Sequence, residues 1–88
     1  MEQKSNKFFV YIILTVNNKL YCGYTNNISK RYHEHISGKG AKYTRANKPL
    51  KLVYIKEFKT KNEAMKEEYR IKNLTRKEKE QLIENYSN

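Results

Sequence analysis

Arg31 and His35 stand four residues apart, so a helix through them carries both side chains on one flank. Arginine offers a planar fork of donors that matches phosphate oxygens. Histidine moves a proton near neutral pH. The plainer reading is a solvated helix flank shared with Lys30 and Glu34. Glu68 gives a second signal. On a helical wheel started at Ala64, Ile71 falls at about −20°, Glu68 at about +40° and Met65 at about +100°. Glu68 therefore lies between apolar residues on the side that should meet a sheet, with Glu63 and Glu67 toward the flank. A carboxylate there is costly unless it is paired or holds a cation. The competing explanation is an ion pair at the core edge, with Arg31 or Lys72.

Tyr11 and Tyr21 are the third signal. Strand tyrosines usually pack, with the hydroxyl at the rim. The two flank a turn, and they share a face only if the hairpin pairs residues whose numbers sum to an even value. A three-residue loop at Asn17–Lys19 meets that condition, and a two-residue loop at Asn17–Asn18 does not. Gly23 lies two residues after Tyr21 and leaves a bare spot on the same face, where a ligand or another backbone can approach.

The elements that must position these groups can be read along the chain. Residues 8–15 (FFVYIILT) and 20–24 (LYCGY) are β-branched and aromatic, and the VNNK between them tolerates positive φ, so they read as a hairpin. Residues 50–58 alternate Leu50, Leu52 and Tyr54 with polar neighbours, a third strand. Residues 27–37 read as a helix capped by Asn27, with Ile28, Tyr32 and Ile36 as its apolar stripe. Residues 37–49, punctuated by Gly38, Gly40 and Pro49, read as a loop. Thr60 with Glu63, and Thr75 with Glu78, are capping boxes that start two more helices, the last with Leu82, Ile83 and Tyr86 on its apolar side. The expected fold class is α/β (α+β): a small three-stranded, mainly antiparallel sheet flanked by helices, in the order β-β-α-β-α-α, forming one domain over residues 1–88 with its core at about 7–80.

Charge narrows the partners. The net charge is +10 over 88 residues. Residues 1–56 hold 11 Lys+Arg against Glu2 and Glu34, whereas residues 57–88 hold 8 against 7 Glu. From His35 to Lys56 there is no acid and six bases. A block of one sign attracts a polyanion, above all nucleic acid. All nine acids are Glu, so a site of several converging Asp is excluded. Two histidines and one cysteine cannot build a zinc finger. Any metal site must be lean, with water filling most positions, which suits magnesium. The single cysteine fits a reducing compartment. MEQKSNK lacks the form of a signal peptide, and the seven-residue apolar run after it falls far short of the roughly 20 residues that span a bilayer. The expectation is a cytoplasmic protein with no membrane segment.

These residues, taken in order, resemble the GIY-YIG nuclease domain. Val10-Tyr11-Ile12 lies at the first motif, which aligns on its tyrosine as Phe9-Val10-Tyr11. Tyr21-Cys22-Gly23 keeps the tyrosine and glycine of the second. Arg31 follows on a helix and Glu68 on a later one. GKGAKYTR (38–45), EFKTKNEAMKEEYRIK (57–72) and LTRKEK (74–79) resemble a subgroup of small standalone bacterial members. The resemblance implies catalytic roles for Tyr11, Tyr21, Arg31, His35 and Glu68. Tyr11 would act as, or orient, the general base; Tyr21 would orient the water or a phosphate oxygen; Arg31 would stabilise charge on the phosphate. His35 would assist proton transfer, and Glu68 would hold one divalent cation, Mg²⁺ or Mn²⁺.

The function so implied is a metal-dependent endonuclease hydrolysing DNA phosphodiesters, in preference to RNA, directed by branched, nicked or damaged structure. Lys30, Lys39, Lys42, Tyr43, Arg45 and Lys48 would bind the nucleic acid, with Tyr43 stacking on a base. A chain this short leaves no room for an appended recognition domain, which points to a protein partner for targeting. The alternative is a non-catalytic nucleic-acid-binding module on the same fold. A third possibility, an adaptor for an acidic protein, has no specific feature behind it.

Overall fold

The computed structural model describes residues 7–87. The amino-terminal MEQKSN, read above for its lack of a signal peptide, lies outside the described residues. Strand β1 spans Phe8–Thr15, β2 Leu20–Thr25, and helix α1 Ile28–Ile36. A short helix α2 spans Lys42–Ala46, β3 Pro49–Phe58, α3 Lys61–Lys72 and α4 Arg76–Ser87. The sheet is antiparallel with β1 in the middle, in the order β2-β1-β3.

The central place of β1 explains its uninterrupted apolar run. Val10, Tyr11, Ile12 and Ile13 are all buried, because both faces of the strand are covered. One face carries the main core: Val10 and Ile12 with Cys22, Tyr54, and Ala64 and Ile71 of α3, extended by Leu82 and Ile83 of α4. The Tyr86 ring lies 5.3 Å from that of Tyr54. The other face carries Tyr11, Ile13 and Tyr21, and α1 and α2 close over it.

The hairpin register is the even one: Tyr11 pairs with Gly23, and Ile13 with Tyr21. Its turn has three residues, the length that condition requires, and lies at Val16–Asn18, one position before Asn17–Lys19, closed by Thr15 N–H donating to the Lys19 carbonyl at 2.9 Å. Asn18 supplies the positive φ, 63°. The buried Thr15 hydroxyl decides the position, since it accepts from Lys19 N–H at 2.8 Å and donates to Asn17 Oδ1 at 2.7 Å.

Three other expectations are corrected. The stretch 37–49 is not all loop, because residues 42–46 coil into α2. The strict alternation in β3 breaks at a bulge between the partners of Ile12 and Ile13, so Val53 joins the main core while Leu50 is left 55% exposed. Helix α1 does not bury the Ile28/Tyr32/Ile36 stripe as a whole: Ile36 is 56% exposed and His35 fully buried. The helix is rolled so that its Arg31/His35 flank meets the sheet. Asn27 caps it as expected, accepting from Lys30 N–H at 3.1 Å. Both capping boxes form, Thr60/Glu63 and Thr75/Glu78.

Candidate active site

Pairing within the hairpin puts Tyr11 in the middle of the sheet with its ring over Gly23. A Cβ at Gly23 would stand 2.6 Å from the Tyr11 hydroxyl. The bare spot expected at this glycine is therefore filled by Tyr11 itself, and glycine is what lets the phenol lie flat across the neighbouring strand. Tyr21 follows on the same face, its ring 6.4 Å from Tyr11 and 5.2 Å from His35.

His35 closes the cluster from above. Its Nε2 lies 2.8 Å from the Tyr11 hydroxyl and its Nδ1 lies 2.6 Å from the Thr44 hydroxyl. Thr44 donates its one proton to the Ala41 carbonyl at 3.0 Å. With that proton on the carbonyl, Thr44 is an acceptor toward His35 and Nδ1 carries the ring proton, the tautomer assigned because it leaves the buried Tyr11 proton with an acceptor. A neutral imidazole then accepts at Nε2, and Tyr11 is the donor. The chain runs in one sense: Tyr11 O–H to His35, His35 N–H to Thr44, Thr44 O–H to a backbone carbonyl. Gly40 makes the closure possible, because a Cβ there would stand 2.5 Å from His35 Nδ1 and 3.0 Å from its Cα.

The electrostatics follow from burial. Tyr11 is pushed up to about 12, mainly because its environment disfavours a phenolate; the Arg31 guanidinium facing it works the other way. Burial pushes His35 below the ordinary imidazole value, and the Arg31 charge adds to this. Both groups are thus neutral at neutral pH. Arg31 is partly exposed, with Nη1 donating to Glu34 Oε1 at 3.0 Å. Burial opposes its charge, but Glu34 and the Tyr11 hydroxyl outweigh this and hold the guanidinium above its usual value.

Tyr11, Tyr21, Arg31 and His35 are therefore brought together. Tyr43 joins them, its ring stacked on Tyr21 at 5.8 Å and 23° and itself 40% exposed. Lys39, Lys42, Arg45 and Lys48 are exposed around it. Lys30 is exposed on α1, with Nζ 3.7 Å from Glu34. Thr44, Gly40 and the Ala41 carbonyl were not legible from the sequence as members of the site. Their signal was a threonine in an otherwise basic, exposed stretch, and reading 37–49 as a loop hid the turn of helix that aims it inward.

Glu68 stands apart. It belongs to α3, which packs on the main-core face, and its carboxylate pairs with Lys72 Nζ at 3.2 Å. Its negative charge is felt at Cys22, whose thiol is pushed up to about 12, first by burial and then by Glu68. No hydrogen bond or ion pair joins it to Tyr11, Tyr21, Arg31 or His35 among the described residues. Neither do those residues include any group of three His, Cys, Asp or Glu placed to hold an ion. The donor set at Glu68 is one hard, partly exposed carboxylate. It fits a hydrated Mg²⁺ or Mn²⁺ with water in its other positions, and it does not fit a pair of metals bridged by carboxylates. No helix among the described residues is long and apolar enough to cross a membrane.

The chain is 54% identical over 81 residues to a UPF0213 protein of Bacillus velezensis, covering 92% of this chain and 82% of that one. It is 46% identical over 85 residues to UPF0213 protein YazA of Bacillus subtilis, covering 97% and 86%. Among solved structures, the NMR structure of UPF0213 protein BH0048 from Bacillus halodurans is similar at a TM-score of 0.59 and 45% identity, over 89% of this chain and 83% of that one. That of protein EF2693 from E. faecalis is similar at 0.64 and 38%, over 99% and 92%. A family model described as the GIY-YIG catalytic domain matches residues 7–81, a span that holds both hairpin tyrosines, the α1 arginine and histidine, and the α3 glutamate. The chain belongs to the GIY-YIG catalytic domain family.

Proposed function

We propose that the protein is a metal-dependent endonuclease that hydrolyses phosphodiesters of DNA in preference to RNA, at branched, nicked or damaged sites. Family membership supports a nucleic-acid substrate. The observation that carries the enzymatic reading is the one-way chain from Tyr11 through His35 to Thr44, with Arg31 beside the phenol.

A phenol held at about 12 is a poor base by itself at neutral pH. The chain removes that difficulty. Tyr11 Oη takes a proton from the attacking water as its own proton passes to His35 Nε2. The water oxygen bonds to phosphorus, and the bond to the departing sugar oxygen breaks. The departing oxygen, on the far side of phosphorus from the attacking water, takes its proton from solvent, and His35 returns the proton it accepted through Tyr11 to solvent before the next turnover. Thr44 accepts from Nδ1 in both states of the ring, so it need not move during the transfer. Arg31 neutralises charge building on the phosphate oxygens. Tyr21, in ring contact with both Tyr11 and His35, orients the water. A divalent cation on Glu68 would supply further charge neutralisation at the phosphate. Tyr43 and the exposed Lys30, Lys39, Lys42, Arg45 and Lys48 hold the polyanion.

A second reading, a nucleic-acid-binding module without cleavage, is favoured by one observation: the Glu68 carboxylate is engaged by Lys72 and not by the tyrosine cluster. Cleavage of single-stranded, duplex and branched DNA with Mg²⁺, Mn²⁺ or chelator separates the two. The enzyme reading expects cutting that needs the metal and is lost in Tyr11→Phe, Arg31→Ala and Glu68→Gln. A wild type that cuts nothing, yet binds every DNA with a steep salt dependence, would replace it with the second.

A further inference from the structure

Arg31 faces two ways. One side meets the Tyr11 phenol; the other lines a cavity of about 420 Å³ with Phe8, Tyr24, Thr25, Asn26 and Lys61. That volume lies within the roughly 300–1,000 Å³ of small-ligand sites. The cavity brings together the start of β1, the end of β2, the first turn of α3 and the flank of α1.

Its chemistry is divided. Arg31 and Lys61 supply two cations, Arg31 already paired with Glu34 at 3.0 Å, and no carboxylate is among the residues that line the cavity. Phe8 and Tyr24 supply an apolar wall, both packed against the core and so fixed in place. The Asn26 carboxamide and the Lys61 ammonium have no hydrogen-bond or ion-pair partner among the described residues, so both are free to bind. A two-cation rim beside an aromatic wall matches a nucleotide, with a phosphate near the cations and a base or sugar on the rings.

We propose that this cavity binds the nucleotide next to the one whose phosphate meets Tyr11 and Arg31, with Lys61 and Asn26 as its polar contacts and Phe8 and Tyr24 as its wall. The proposal deepens the nuclease reading and rests on it for the identity of the ligand. Arg31 then lies between two stretches of the bound strand. The basic block on and around α2 holds one side, and the Lys61 cavity holds the other. Tyr24, which packs against the core, thereby acquires a second use.

The test is a binding measurement with thymidine 3′,5′-bisphosphate as probe, followed by amide shifts in NMR spectra of the ¹⁵N-labelled chain. The expected shifts centre on residues 24–26 and 61. Lys61 is exposed, so Lys61→Gln should fold normally, and its spectrum checks that it does. The substitution should weaken the probe about fivefold, the scale of one exposed charge contact. It should also lower the salt slope for a short duplex by about one. Lys66→Gln, exposed on the same helix but outside the cavity, should change neither. In cleavage assays Lys61→Gln should raise KM for DNA by a like factor. Shifts confined to residues 39–48, or a probe affinity unchanged by Lys61→Gln, would overturn the subsite even if the protein cuts DNA. Probe shifts at 24–26 and 61 in a protein that cuts nothing would uphold the subsite and overturn the nuclease reading.

Discussion

Replacing Thr44 by valine keeps the shape of the side chain and removes one oxygen. In the wild type that oxygen lies 2.6 Å from His35 Nδ1 and is the acceptor for the proton assigned to that nitrogen. In Thr44→Val the Nδ1 proton faces a methyl group in a fully buried position. A buried donor left without a partner costs about 1–3 kcal/mol. For a domain of this size each kcal/mol lowers Tm by about 4–8 °C. The ring can recover part of the loss by moving its proton to Nε2. It then meets Tyr11 as a donor, and the phenol proton has no acceptor. General-base assistance is worth about 10²–10⁴ in rate. Partial population of the wrong tautomer should forfeit the lower end of that, about 10- to 100-fold in kcat. Tautomers are read from imidazole ¹⁵N shifts, with kcat on DNA as the second measure. Thr44→Ser keeps the acceptor and should restore both. A Thr44→Val protein with the wild-type tautomer and unchanged kcat would refute the relay, however much its Tm fell.

The Gly23→Ala methyl would enter the space of the Tyr11 hydroxyl, which His35 and burial prevent from swinging away; stability should drop by about 1–3 kcal/mol and cleavage should fall with it, as measured by thermal unfolding and DNA nicking. His35 is depressed below its ordinary value of 6.5, so its base form persists into mildly acidic solution: kcat should hold at pH 6.5 and fall only as pH drops through the folded-state pKa. The fold responds with the same sign, since the unfolded chain binds the proton more readily: the stability tied to neutral His35 is complete above pH 6.5 and erodes below it, a loss that pH-dependent denaturation detects and His35→Gln should remove. Ile71→Ala opens a cavity under α3 at a fully buried position and should cost about 2–5 kcal/mol by urea unfolding. Lys72→Gln frees the Glu68 carboxylate from a partly exposed ion pair worth about 0–1 kcal/mol, so Mn²⁺ affinity should rise by up to about fivefold, with paramagnetic broadening centred on residue 68 and lost in Glu68→Gln.

Periodicity and cap chemistry are local, and they were legible. The three strands, the capping boxes at Thr60 and Thr75 and the Asn27 cap all follow from residues within a turn of one another. The even hairpin register was legible only as a condition, because whether the loop closes at Lys19 or earlier depends on the Thr15 hydroxyl, a polar group at the end of an apolar run. The roll of α1 was not legible. Hydropathy favours burying Ile36, yet the sheet face opposite carries a tyrosine hydroxyl that must be paired once it is buried. Histidine answers that need and isoleucine does not, so the helix turns its polar flank inward. The same need explains α2: a buried imidazole requires a partner at its second nitrogen, and one turn of helix in a stretch that reads as loop supplies Thr44.

Glu68 shows the opposite case, a group correctly placed near the core but on the face away from the tyrosines. Strand alternation makes that division unavoidable, since Cys22 points to α3 while its neighbours Tyr21 and Gly23 point to α1. The two halves are nonetheless tied through α3. Its first residue, Lys61, shares a cavity with Arg31, and Glu68 lies seven residues on, about 10 Å along the helix axis. Ala64 and Ile71, both fully buried against the sheet, set where that helix sits. They therefore determine together how far the Glu68 carboxylate lies from Arg31, the phosphate-binding group of the proposed mechanism. A change at either apolar position should disturb metal-dependent cleavage before it unfolds the chain, although neither residue touches the substrate. Ile71→Val, which removes one methylene and should cost about 0.5–1.5 kcal/mol, isolates that effect when kcat is measured well below the lowered Tm, where the variant is fully folded: a fall in kcat there would support α3 as the element that sets the distance, and an unchanged kcat would refute it.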